Sequence, residues 1–237
     1  MPTLKVGIAL PDPPFNGMPG GSGLDIELMA AIGRELGATV EFVPYGGADF
    51  DGIFAGLAAG TYHCVTAGTT VTPQRQQQAA FAPPYLISGQ AIAVDTRRLP
   101  HVASVDHLDG LTIGVQRGNT SVAVAERLVA DGRAGRVRVY DYGSIHTALA
   151  DLTTGGCDVV MKLAPVLTEL VKPLAGVDVV QRGITVEEIA VAVGRTDRDR
   201  LRRIGAAQSA LERDGTLQRM RRTWLGNPYA DQRVAVH

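Results

Sequence analysis

Aromatic side chains are scarce here: they make up 5% of the 237 residues, with a single tryptophan. A core must therefore rest on Ala, Val, Leu and Ile, with 28 glycines permitting close backbone approaches. Cysteine is scarcer still. Cys64 and Cys157 are too few for a disulfide framework and too isolated for a zinc site. Each lies in an apolar run (HCVTAG, CDVVMK) and is expected as a small buried hydrophobe. Charge of one sign is lacking too: 23 basic against 24 acidic residues give a formal net charge of −1. That argues against a nucleic-acid partner, which normally leaves a basic excess or stripe. No apolar run approaches the ~20 residues that span a bilayer. The opening MPTLKVGIAL enters a strand directly, without a basic leader or signal-like segment. A cytoplasmic protein and one whose export signal has been removed both fit that start. What remains, 45% hydrophobic and 20% charged, suits a packed binding protein or small enzyme of one large or two small domains.

Strand-like and helix-like runs alternate, the pattern of an α/β fold. Strands are expected at 4–10, 40–43 and 63–67. Between them, 24–36 places Leu24, Leu28, Ala31, Ile32 and Leu36 on one helical face before Gly37. A short helix at 51–59 closes at Gly60. A second block repeats the pattern. Its strands are expected at 111–115, 137–140, 158–161, 177–180 and 189–193, and its helices at 120–130, 145–152 and 164–171, with Ser144 as an N-cap. Two helices finish the chain. The first spans about 197–213 with Leu201, Ile204 and Leu211 inward; the second carries Leu217, Met220 and Trp224. The tandem blocks imply two open-sheet lobes, and open α/β sheets bind ligands beyond the carboxyl ends of their strands. The turns at 68–72 and 118–121 both follow strands and are expected to line one cleft.

Two constellations carry chemistry. In GTTVTPQR (68–75), Gly68 lets a ligand approach the backbone, Thr70 offers an N–H and a hydroxyl, and Arg75 a planar fork matched to a carboxylate. A plainer reading makes Thr72 the N-cap of a surface helix with Arg75 solvated. In QRGNTS (116–121), free N–H groups at a helix start, with the Thr120 and Ser121 hydroxyls, suit an anion. The plainer reading is N-capping by Asn119 or Thr120. Neither loop is a Walker A motif, and GSG (21–23) lacks the dinucleotide pattern. His101, His107, His146 and His237 lack metal-site spacing, and no Ser-His-acid order is legible, so neither a metal, a cofactor nor a catalytic residue is expected.

The ordered set PPF (13–15), GLDIEL (23–28), AGTTVT with Arg75, FAPPY (81–85), the run 114–121, DVV (158–160), DGT (214–216) and WLG (224–226) resembles the family 3 extracellular solute-binding proteins. These are the type II periplasmic amino-acid receptors of ABC import, and the likeness spans about 4–226. It implies a two-lobed type II fold, two open sheets flanked by helices with a cleft between lobes. Lobe 1 is expected at 1–92 and 188–237 and lobe 2 at 93–187, with hinges near 90–94 and 185–189. By the same resemblance, Arg75 and Thr70 hold the ligand carboxylate from lobe 1 and Thr120 meets it from lobe 2. Gly68 turns its carbonyl to the ligand ammonium, and Phe15 and Phe50 form apolar walls, although core roles stay open for both. It further implies a monomer that hands a small carboxylate to an ABC permease outside the cytoplasm, its export signal absent here.

One departure from the pattern bears on the ligand. Family members carry an Asp five residues after the counterpart of Asp158, facing the ligand ammonium; here Leu163 stands there, preceded by Lys162. The ligand is therefore expected to be a carboxylate without an α-ammonium, with Lys162 or Gln116 meeting a distal polar group. A solvated strand-end Lys162 is the plain alternative, and Glu187 or Glu188 the alternative source of negative charge. His63, where the family often has an acid, is expected as a structural surface residue. Two further functions stay open at this point: an enzyme like the cyclohexadienyl dehydratase that shares this fold, and the ligand-sensing module of a signalling receptor.

Overall fold

The computed structural model describes residues 2–232. Along the chain lie β1 (Thr3–Ala9), α1 (Leu24–Glu35), β2 (Thr39–Tyr45), α2 (Ile53–Ala58), β3 (Cys64–Val65), α3 (Pro73–Gln76), β4 (Ala79–Phe81) and β5 (Leu86–Ser88). There follow β6 (Gln90–Asp95), β7 (Thr112–Gln116), α4 (Ser121–Ala130), β8 (Arg136–Tyr140), α5 (Ile145–Thr154), β9 (Val159–Leu163), α6 (Ala164–Val171) and β10 (Val177–Gln181). Last come β11 (Glu187–Ile189), β12 (Ala192–Gly194), α7 (Arg198–Arg213), α8 (Thr216–Leu225) and α9 (Asn227–Ala230). The described chain divides into two compact units, 2–46 with 52–87 and 187–232, and 47–51 with 88–186. The changes of unit fall at Ile87/Ser88 and Val186/Glu187, earlier than the 92/93 and 187/188 boundaries expected, and Phe50 groups with the second unit.

In the first unit a five-stranded sheet runs β2-β1-β3-β12-β4. β1 is parallel to β2 and β3, while β12 is antiparallel to β3 and β4. β1 is buried from Val6 to Ala9, as an interior strand covered on both faces must be, whereas edge strand β2 stays half-exposed. α1 buries Leu24, Leu28, Ala31 and Ile32, the face set by the i, i+4, i+7, i+8 spacing, and Leu36 is half-buried. Gly37, at φ 62°, takes the left-handed turn that ends it. Ile204, Leu211, Leu217 and Met220 of α7 and α8 are buried, while Leu201 and Trp224 are half-buried.

The second unit has its own five-stranded sheet, β10-β6-β9-β7-β8. β7 is parallel to β8 and β9; β6 is antiparallel to β9 and β10. Edge strand β8, RVRVY, leaves Arg136, Arg138 and Val139 exposed and buries only Tyr140, while interior β7 and β9 are buried at every residue. Ile145, Leu149, Leu152 and Leu167 pack one face; Ile92, Leu108, Ile113 and Leu128 pack the other.

Residues 90–94, expected as a hinge in a connecting strand, lie in β6, which is buried throughout and pairs on both sides. Two local expectations are corrected. The single strand expected at 189–193 is two: β11 pairs with β5, and β12 enters the first unit's sheet, with Ala190 and Val191 making the change. Ser144 stands at the start of α5 but its side chain caps nothing.

Candidate functional site

The first unit carries its candidate residues where β3 ends. Gly68 takes the left-handed conformation (φ 56°), and a Cβ there would lie 3.1 Å from a ring carbon of Phe15, which is fully buried beneath it. The Gly68 N–H donates to Asp25 Oδ2 at 2.8 Å, and Asp25 Oδ1 accepts the Tyr85 hydroxyl at 2.6 Å. The next residues run as a strand partner to β11. Thr69 O accepts the Ala190 N–H at 3.0 Å, Thr70 bridges Ile189, and the Val71 N–H donates to Glu188 O at 2.8 Å. This ladder fixes Thr70, whose hydroxyl donates to Glu187 Oε2 at 2.6 Å. Glu187 is buried beside it, while Glu188 is exposed.

Thr72 Oγ1 accepts the Arg75 N–H at 3.2 Å and so caps α3, as the plainer reading of this segment had it. Arg75 itself is not solvated. It is 4% exposed, its Nη1 donates to Thr70 O at 2.9 Å, and its guanidinium lies 5.6 Å from the Phe54 ring centroid. The contacts of this buried guanidinium thus include the Thr70 carbonyl and the Phe54 ring face, and its planar fork of donors is of the kind that matches a planar anion.

The second unit gathers its candidates at the carboxyl ends of β7 and β9. Gln116 closes β7 and Lys162 nearly closes β9; Leu163 stands opposite Gln90 at the start of β6. Lys162 is 3% exposed, which corrects its solvent-reaching alternative: the side chain turns to Gln116 and the Tyr142 ring. Its Nζ donates to Gln116 Oε1 at 2.6 Å and lies 5.7 Å from the Tyr142 ring centroid. Gln116 Nε2 donates to Tyr142 O, and the Tyr142 ring lies 5.3 Å from that of Phe50. Phe50 reaches this group because the Phe50 N–H donates to Arg117 O at 3.2 Å, close to Gly118. A Cβ on Gly118 would fall 2.2 Å from Asp49 Oδ1. Neither Asn119 nor Thr120 caps α4; the Thr120 hydroxyl instead accepts Gln90 Nε2 at 3.0 Å. Leu163 is buried.

Burial pushes the Asp25 carboxyl up to about 7; the Tyr85 and Gly68 hydrogen bonds oppose that rise and the nearby Asp12 charge adds to it. Tyr85 is raised well above its usual range by burial and then by Asp25. His63 is half-buried and held below its usual value by burial, Arg200 and Lys5, and its Nδ1 accepts the Lys5 N–H. Cys64 and Cys157 are buried and free, one in each unit. Among the described residues no His, Cys, Asp and Glu cluster is arranged to hold a metal ion, and no helix is long and apolar enough to cross a membrane. His237 lies outside the described residues.

Sequence reasoning missed Gln90 and Tyr142, because nothing in their local pattern sets them apart, and it quoted Tyr85 only as the end of FAPPY. Asp25 was visible only as part of GLDIEL, with no task attached.

Residues 4–227 match the family profile of the bacterial extracellular solute-binding proteins, family 3. The chain is 26% identical over 221 residues to the putative ABC transporter arginine-binding protein 2 of Escherichia coli K12, covering 90% of this chain and 86% of that protein. It is 27% identical over 228 residues to the L-cystine-binding protein of the same strain, covering 94% and 83%. An ancestral arginine-binding protein bound to arginine superposes with a TM-score of 0.85 at 34% identity, over 95% of this chain and 99% of that one. An ancestral amino-acid-binding protein, a precursor of cyclohexadienyl dehydratase, superposes at 0.81 and 29% identity, over 94% and 95%.

Proposed function

This chain belongs to the bacterial extracellular solute-binding proteins of family 3, with their type II periplasmic binding protein architecture, and we propose that it captures a small carboxylate for ABC import. The observation that carries this reading is the buried Arg75 guanidinium, set between Thr70 O and the Phe54 ring. Arg75, with the Thr70 N–H, holds the carboxylate from the first unit; the Thr70 hydroxyl, expected to join them, donates to Glu187 Oε2 instead. In the second unit the Thr120 N–H, at the start of α4, offers a donor of the same kind. Gly68 stays free of side-chain bulk for close approach, and Phe15 and Phe50 flank the apolar part of the ligand. We read the chain as a non-enzymatic monomer working outside the cytoplasm, since the relatives compared above are named as binding proteins.

Lys162 and Leu163 support a ligand without an α-ammonium, an aliphatic or aromatic organic acid. A buried ammonium held by Gln116 Oε1 and facing Tyr142 repels a second cation and accommodates a distal carboxylate or carbonyl. One observation favours a second reading: Glu187 is a buried carboxylate at Thr70, placed to compensate an amino acid's ammonium. A thermal-shift panel separates the two, with L-arginine, L-cystine and L-glutamine beside their deaminated 2-oxo analogues. Stabilisation by the 2-oxo acids is expected. Stabilisation by the amino acids alone would replace the organic-acid reading with the Glu187 one, and a panel with no response would remove both.

A further inference from the structure

Asp25 takes part in none of the ligand contacts proposed above, yet it grips the segment that makes them. It is fully buried at the start of α1, and its two oxygens are taken by the Gly68 N–H and the Tyr85 hydroxyl. From Gly68 the chain runs directly into Thr69 and Thr70, so the Gly68 amide is the first anchor of the segment whose other anchors are Ala190 and Glu188. We propose that Asp25 is the positioning residue of segment 68–70 and that its neutral carboxyl is the form that holds the segment, so that ionisation loosens it. The proposal rests on the solute-binding reading only for its consequence, that ligand capture is favoured on the acid side of neutrality.

The geometry accommodates the neutral form without moving a heavy atom. Oδ2 still accepts the Gly68 N–H, and a proton on Oδ1 is donated to the Tyr85 oxygen, whose own hydrogen rotates away. The ionised form is less comfortable, because a charge sealed from water must be compensated. The groups around it offer little. Asp12, from the loop after β1, adds a like charge, and Tyr85 adds only a hydrogen bond. α7 and α8 bring Glu212 and Arg221, but these form a buried pair with each other, and Arg221 Nη1 donates to Tyr85 O. β2 brings Glu41, which is exposed, and Tyr45, whose hydroxyl lies at Gly52; Glu27, on α1 itself, is half-buried. The carboxyl consequently sits at about 7, and above that pH opening the segment relieves the buried charge by admitting water.

Hydrogen exchange of peptides covering residues 66–72 in the ligand-free chain, divided by the intrinsic rate at each pH, tests this. Between pH 5 and pH 8 the opening of this segment in the wild type is expected to rise about tenfold or more. Asp25→Asn, whose amide reproduces both hydrogen bonds of the neutral acid, is expected to stay slow at both pH values. Asp25→Ala is expected to be fast at both. A wild-type profile flat in pH, an Asn variant that keeps the wild-type slope, or an Ala variant that stays slow would each overturn the proposal. No ligand enters this measurement, so a silent ligand panel alongside the expected exchange pattern would count against the binding reading alone.

Discussion

Thr70 Oγ1 donates to Glu187 Oε2 at 2.6 Å, a buried contact between residues 117 positions apart. It joins the segment after β3 to the first residue of the strand by which the chain re-enters the first unit. The proposed carboxylate-binding threonine is thus held by a carboxylate, and its hydroxyl proton already has an acceptor. Three consequences concern this segment and one concerns the second unit.

Thr70→Val removes the hydroxyl and leaves the shape nearly unchanged. Hydrogen bonds to charged groups contribute about 1.5–3 kcal/mol, so the urea midpoint is expected to fall by that equivalent with the slope unchanged. A midpoint equal to wild type would mean that water replaces the Thr70 hydroxyl at no cost.

Arg75→Ala is expected to weaken binding of whichever panel carboxylate stabilises the protein by about 2–5 kcal/mol, read by calorimetry. It should also lower stability by roughly 1–3 kcal/mol, because the bond to Thr70 O and the contact with Phe54 go with it. Arg75→Lys keeps the charge but not the planar fork, and is expected to recover stability better than affinity. Unchanged affinity in both variants would take Arg75 out of the ligand site.

Asp25 makes global stability depend on pH in a direction opposite to that of a salt-bridged carboxylate. Its folded value of about 7 lies above the ordinary 3.8, so between those values the folded chain binds more protons than the unfolded one. Its contribution is therefore largest below about pH 4 and declines as pH rises to about 7. At about 1.4 kcal/mol per unit the change is on the order of 4 kcal/mol. Unfolding followed from pH 4 to 7 should show this decline in the wild type and lose it in Asp25→Asn. The same decline in the variant would assign it to other groups.

Gly118→Ala places a methyl group 2.2 Å from Asp49 Oδ1 and 2.7 Å from the Phe50 amide nitrogen, at a φ of 77°. The expected cost is more than about 1 kcal/mol, with faster exchange at residues 47–51 and a loosened Phe50–Tyr142 contact. A variant as stable as wild type, with 47–51 still protected, would show that this segment yields without loss.

The sequence by itself determined the order of strands and helices, because apolar runs of period two and 3.6 punctuated by glycine describe local conformation. It also placed GTTVTPQR and QRGNTS beyond strand ends, because each follows an apolar run that can only be a strand in this alternation. It did not reveal the short strands β4 and β5, nor β6, where only a hinge was expected, nor the break between β11 and β12, where Ala190 and Val191 are as apolar as a strand interior. Only the tertiary structure decided which charges are buried. Arg75 and Lys162 read as solvated in isolation, and each is covered by partners that come from other parts of the chain: Phe54 for one, Gln116 and Tyr142 for the other. Glu187 beside Thr70, and Asp25 beneath Gly68, follow the same rule. Burial and hydrogen-bond partners are set by contacts distant in sequence, and no local pattern encodes them.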